Sequence, residues 1–209
     1  ILRRKKDDID FNIPDKFEVT LKNSPTELQE RIINKTLEFK LTTSQKIFIS
    51  RKVSNSPVLF LEKSRFKEIP ARSPKMRVLD QILTKLNFTE HKFLIYSQWT
   101  TTMNLIETVL NFRSINFSRI DGSVQVKDRI RIIQDFVKPG STVQGMLLST
   151  RSSAFGLNLQ VADTVILFDS DYNPFVELQA SDRVYRLGQK NVVVIIRLMM
   201  NGTGEEKIL

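Results

Sequence analysis

The amino-acid sequence predicts an α/β fold, a parallel β-sheet with helices on both faces, together with a helical N-terminal extension. From residue 92 onward, short apolar runs rich in β-formers alternate with amphipathic stretches of helical period. Strand, helix, strand, helix in that order requires crossover connections, and these put helices on both faces of a parallel sheet. A polar cluster follows each of the first four strand candidates, on the sheet edge where ligands gather in this fold class.

The extension comes first. Ile1–Pro14 reads as a charged connector, and residues 26–39 and 44–53 as helices. Residues 55–57 and 65–74 hold proline and polar side chains and read as loops; Ser73-Pro74 then introduces a helix over about 75–86. This places a charged connector and helical protrusion at 1–74 and a sheet domain at 75–209. Within the domain the strand candidates are Lys92–Tyr96, Asn116–Ile120, Val143–Leu148, Thr164–Phe168 and Val192–Leu198. Helices are expected over 99–112, 125–137 and 174–186. In the middle one, Val126, Ile130, Ile133 and Val137 recur at helical spacing and predict a core-facing stripe. The rim clusters are Ser97-Gln98, Asp121-Gly122-Ser123, Ser149-Thr150-Arg151 and Asp169-Ser170-Asp171.

Composition narrows the function classes. The chain has 209 residues and no cysteine, so disulfides and thiolate metal sites are excluded. It begins with isoleucine and is expected to be part of a longer protein. The longest unbroken apolar run, Val192–Ile196, is far too short to span a bilayer as a helix. The single histidine, His91, precedes an apolar run in a polar turn and is expected to face solvent. Net charge is +9, and residues 1–91 carry 19 basic against 12 acidic side chains. A basic surplus of that kind suits nucleic acid, although it also serves solubility or acidic protein partners.

The most informative segment is Gln179-Ala-Ser-Asp-Arg-Val-Tyr-Arg-Leu-Gly-Gln189. Asn173-Pro174 supplies an N-cap followed by proline at the first helical position, and Gly188 a stop. On one continuous helix Gln179, Arg183 and Arg186 would form a single stripe able to grasp phosphate. Guanidinium groups suit the charge that gathers on a transferring phosphoryl group. Taken alone, such a stretch is more often a solvated helix face, with Asp182 paired to Arg186.

Eight ordered blocks change that weighting. Pro14-Asp-Lys-Phe-Glu18, Arg51-Lys-Val-Ser-Asn-Ser-Pro-Val-Leu-Phe60, Leu94-Ile-Tyr-Ser-Gln98 and Arg119-Ile-Asp-Gly-Ser123 are four of them. Leu148-Ser-Thr-Arg151 with Gly156-Leu-Asn-Leu159, Ala162–Pro174, Gln179–Gln189 and Thr203-Gly-Glu-Glu-Lys-Ile208 complete the series. In order and spacing they resemble the second RecA-like lobe of the SWI/SNF-type DNA-dependent ATPases, chromatin-remodelling motors of helicase superfamily two. The short connections and Ile33-Asn-Lys-Thr36 are similar to lymphoid-specific-helicase-like or imitation-switch-like members.

The resemblance implies a P-loop NTPase-type helicase C-terminal lobe in a nuclear protein. ATP and Mg2+ would be held mainly by the first lobe, with Arg183 and Arg186 as arginine fingers and Gln179, Gly156 and Asn158 near the nucleotide. Ser97, Gln98, Arg119, Ser149 and Thr150 would contact the backbone of double-stranded DNA, including nucleosomal DNA, while Asp121 orders its own turn. No residue of the chain is expected to bind a metal. Ser152-Ser153-Ala154 stands where the family usually has Ala-Gly-Gly, Tyr172 replaces a usual tryptophan and Tyr185 a usual histidine. Two other readings stay open: a repair or recombination translocase on the same motor, and a non-hydrolysing chromatin-binding lobe. No Gly-x-x-x-x-Gly-Lys-Ser/Thr occurs among the seven glycines, so residues 1–209 alone are expected to be inactive.

Overall fold

The structure is a computed structural model, and it describes residues 13–60, 73–87, 89–150 and 158–206. Its elements in chain order are β1 (Lys16–Asn23), α1 (Glu27–Glu38), α2 (Thr43–Asn55), α3 (Pro74–Leu86), β2 (Phe93–Ser97), α4 (Thr100–Phe112), β3 (Phe117–Ile120), α5 (Val126–Val137), β4 (Gly145–Ser149), β5 (Thr164–Leu167), α6 (Pro174–Asp182) and β6 (Val193–Met200). A single 3-10 turn, Pro57–Phe60, follows α2.

Six parallel strands form one sheet in the order β1-β6-β5-β2-β4-β3. Alternation along the strands feeds two cores. Phe93 and Ile95 of β2 join Met76, Leu79 and Leu83 of α3 and Met103, Ile106 and Leu110 of α4 on one face. Leu94 and Tyr96 join Phe136 of α5 and Ala180 of α6 on the other. The register sets Gly145 between Phe93 and Phe117 on neighbouring strands. A Cβ at Gly145 would stand 2.5 Å from Phe93 ring atoms, so glycine makes room for the phenyl group.

Local chemistry starts the helices where the sequence indicated. Thr26 with Gln29 and Thr42 with Gln45 form reciprocal capping boxes, satisfying donors of the first turns of α1 and α2. Ser73 and Asn173 cap α3 and α6, each followed by proline. The His91 side chain is 54% exposed, and its Nδ1 lies 2.6 Å from the buried carboxylate of Asp163.

Two expectations change. On α5, Val126 and Ile130 are 57% and 55% exposed and Val137 is exposed too; Phe136 is the residue this helix buries, with Ile132 and Ile133 packed partly beneath it. Of the expected stripe Ile133 keeps its contact with the core, while Val126, Ile130 and Val137 face outward and Phe136 takes the buried position. The second change is β1, a strand the sequence reading passed over. Its eight residues pair with β6 from Lys16↔Val193 to Asn23↔Met200, so part of the 1–74 segment belongs to the sheet. Val58, just after α2, is likewise a core residue.

Candidate functional site

At the carboxyl ends of β2 and β5, a buried polar network replaces the open rim expected there. Asp169 is its centre. Its carboxylate accepts from Ser97 Oγ at 2.5 Å, from the Gln98 backbone N–H at 2.8 Å and from Asn55 Nδ2 at 3.1 Å. Burial pushes the Asp169 carboxyl up to about 6, against the opposing pull of the Ser97 hydroxyl, the Lys75 ammonium and the Gln98 N–H. Lys75, at the start of α3, donates to Asn55 Oδ1 at 3.3 Å, the Phe168 carbonyl at 3.0 Å and Glu205 at 2.6 Å. Glu205 in turn accepts from the Met200 N–H at 3.0 Å. Each member of this chain thereby satisfies another that could not be buried alone.

Arg51 ties the helical extension to the same rim. Its guanidinium sits 4.9 Å from the Trp99 ring centre and 4.5 Å from that of Tyr172, a cation held between two aromatic faces. It donates to Gln98 Oε1 at 3.1 Å and to the Ser170 carbonyl, while Gln98 Nε2 donates to that same carbonyl at 2.8 Å. A groove of about 760 Å³ opens beside it, lined by Gln98, Ser149, Thr150 and the first residues of α4.

The predicted DNA-facing residues therefore divide. Gln98, Ser149 and Thr150 line the groove. Ser97 does not reach it: the side chain is fully buried and spends its hydroxyl proton on Asp169. Arg119 is also committed, donating to Asp121 at 2.9 Å and to Glu107 and Asn104 at 2.7 Å each. Asp121 orders its turn by accepting from the Ser123 hydroxyl and N–H. That hydroxyl is the main cause holding its carboxyl below the ordinary range, with burial opposing and Arg119 assisting.

The arginine segment differs from a single helical stripe. Helix α6 ends at Asp182; Arg183 is its C-cap and Arg186 lies in the turns beyond. The Arg183 carbonyl, which a continuing helix would offer to Leu187, instead accepts from the Leu159 N–H at 3.1 Å. Val184 and Tyr185 both donate back to Ser181, tightening the turn, and Gly188 leaves it at φ +94°, in the left-handed region that favours glycine. Gln189 then clamps the two loops, its Nε2 donating to the carbonyls of Ala162 at 2.9 Å and Gln160 at 3.1 Å. Gln160 Nε2 donates to the Leu187 carbonyl in return.

Asn158 is consequently held beside the arginine turn through Leu159. Arg186, Gln179 and Asn158 are exposed and Arg183 is half-buried. Gly156 and Arg151 lie outside the described residues. Guanidinium and amide donors are of the kind that suits a polyphosphate, and Asn158 also lines the groove along α5 with Ser118 and Pro139. Among the described residues no group of three or more His, Cys, Asp or Glu side chains is arranged to hold a metal ion.

The sequence and the parallel-sheet fold both have counterparts among known proteins. A family model, the helicase conserved C-terminal domain, matches residues 74–188. The chain belongs to this family. The helicase lobe is 36% identical over 240 aligned residues to the ATP-dependent helicase brm of Drosophila melanogaster, covering 100% of this chain and 15% of that protein. It is 34% identical to the nuclear protein STH1/NPS1 of Saccharomyces cerevisiae, with 100% and 17% covered, and 35% identical to the ATP-dependent DNA helicase DDM1 of Arabidopsis thaliana, with 100% and 30% covered. The resemblance to SWI/SNF-type ATPases thus extends over the whole chain, which spans less than a third of the length of these relatives. In fold the lobe matches the C-terminal part of the Fun30 ATPase domain with a TM-score of 0.81, at 22% identity, over 94% of this chain and 89% of that one. The RecA-like architecture is therefore shown.

Arg51, Asn55, Lys75 and Glu205 were not singled out as site residues from sequence. Arg51, Asn55 and Glu205 stand within blocks that carry the resemblance, which was the one available signal. Nothing in spacing or composition marks a lysine and a glutamate 130 residues apart as partners.

Proposed function

We propose that this chain is the second motor lobe of an ATP-dependent DNA translocase that remodels chromatin in the nucleus. The observation that carries the reading is the Leu159–Arg183 backbone bond, which locks the arginine turn to the loop bearing Asn158 in a helicase-family lobe. Arg183 and Arg186 neutralise charge on phosphoryl oxygens presented by the first lobe, and Gln179 and Asn158 donate amide protons at the same edge. ATP, with Mg2+ held by the first lobe, supplies the phosphoanhydride whose cleavage drives the cycle. Gly156 keeps its assignment to the nucleotide side on the resemblance alone.

On the opposite flank Gln98, Ser149 and Thr150 contact the sugar-phosphate backbone, which positions duplex or nucleosomal DNA without reading its sequence. Ser97 and Arg119 support these contacts from beneath rather than making them. The names of the relatives, two of them ATP-dependent helicases and one a nuclear protein, agree with this assignment.

The test is DNA-stimulated ATP hydrolysis by the full-length protein with and without Arg186→Ala. An arginine finger is worth about 10³ or more in turnover, so the variant loses stimulated hydrolysis while still binding DNA. Unchanged turnover sinks the assignment, and no hydrolysis by the unmutated protein moves the lobe to the non-hydrolysing chromatin-binding class. Residues 1–209 alone, lacking a phosphate-cradling loop, are expected to hydrolyse no ATP.

A further inference from the structure

Helix α2 carries a stripe along the groove, part of it within the Arg51–Phe60 block. Phe48, Arg51, Lys52 and Asn55 follow helical spacing on one side of it. Asn55 and Arg51 are buried in the rim network, whereas Phe48 and Lys52 reach the groove. Phe48 stacks edge-on against Trp99, with ring centres 6.2 Å apart, and the Lys52 ammonium rests 4.8 Å over the Phe48 ring. The aromatic face orients the lysine without neutralising it. Across the groove stand the hydroxyl-bearing residues Thr100, Thr101, Ser149 and Thr150. Trp99, the N-cap of α4, makes no side-chain cap, so the N–H groups of the first turn remain available as donors. Among the described residues lining the groove the one carboxylate is Asp171, whose Oδ1 accepts from the Asn173 N–H at 2.9 Å.

We infer that Lys52, on the helical extension, is a further DNA-backbone contact, with Phe48 as its support and Arg51 as the positioning residue that fixes the groove wall. The inference rests on the DNA-translocase reading above. A cation, hydroxyls and helix N–H groups facing one groove match the chemistry of a phosphodiester, and the fixed aromatic support lowers the entropy lost when a lysine is ordered. The extension is then part of the DNA interface rather than a separate protrusion.

The experiment titrates a fluorescein-labelled blunt duplex with the purified full-length protein over a series of salt concentrations. Each neutralised phosphate contributes about −0.9 to the slope of log K against log salt. Lys52→Gln is expected to reduce the magnitude of that slope by about 1, whereas Lys52→Arg retains it. Lys22→Gln, at an exposed position on β1, leaves it unchanged. An unchanged slope in Lys52→Gln, or an equal reduction in Lys22→Gln, overturns the inference and leaves the translocase reading standing. No duplex binding by the unmutated protein overturns both. Binding of polyglutamate in place of the duplex, weakened by the same Lys52→Gln change, reassigns the groove to acidic protein surfaces and also overturns it.

Discussion

Lys75 and Glu205 form a fully buried ion pair, Nζ to Oε1 2.6 Å, between the first turn of α3 and the turn after β6. Neither charge has solvent to fall back on. Removing one partner leaves the other buried and unpaired, at a cost of about 3–5 kcal/mol. Lys75→Met is therefore expected to lower the urea midpoint strongly at unchanged m-value. Lys75→Met combined with Glu205→Leu recovers part of the loss, because neither member of the pair is then stranded, while the Phe168 carbonyl and the Met200 N–H still lose their partners. A double variant no more stable than the single one would show that the pair is not the source of the effect.

Asp169 gives a pH signature. Its folded value of about 6 lies above the ordinary 3.8, so the folded protein binds this proton more tightly than the unfolded chain does. Its stability contribution is full below about 4 and is lost as pH rises to about 6. Asp169→Asn removes this component. Subtracting the Asn variant's pH–stability profile from that of the unmutated protein leaves a curve that falls with pH across this window; a flat or rising difference refutes the assignment.

Gly145 is required by the register rather than by a turn. Gly145→Ala drives a methyl group into the packed Phe93 ring, and such overpacking costs about 1–3 kcal/mol. Thermal unfolding reads this directly. Pairing Gly145→Ala with Phe93→Leu is expected to relieve part of the cost, whereas strictly additive losses would exclude the steric explanation.

Helix α5 offers a contrast between pattern and packing. Ile130→Gln is expected to change stability by no more than about 0.5 kcal/mol, since the residue is already largely in water. Phe136→Ala, a few residues on, costs about 3–5 kcal/mol. A larger loss at Ile130 than at Phe136 would restore the face that spacing alone suggested.

Much of the fold was legible in the sequence because its signals are local. Strands β2 to β6 are short apolar runs, the caps at Ser73, Thr26 and Asn173 act within one helical turn, and the rim clusters follow strand ends. Strand β1 was not legible, since Lys-Phe-Glu-Val-Thr-Leu-Lys-Asn becomes a strand by pairing with β6 across 177 positions of sequence. The α5 stripe misled for a related reason: both faces of that helix carry apolar residues, and the sheet beneath selects the one with Phe136.

The candidate site divides the same way. The sequence by itself determined the kinds of groups present: guanidiniums and amides in one segment, hydroxyls after the strands, and glycine at residue 188 where left-handed backbone is needed. Tertiary structure alone decided what those groups face. Ser97 turns inward because Asp169, from the segment after β5, needs a donor, and Arg119 is occupied by Asp121, Glu107 and Asn104. Arg183 caps the helix and Arg186 lies beyond it, and the Leu159 N–H, from a distant loop, takes the Arg183 carbonyl. Hydrogen-bond partners far apart in sequence carry no local signature, and burial makes their satisfaction obligatory.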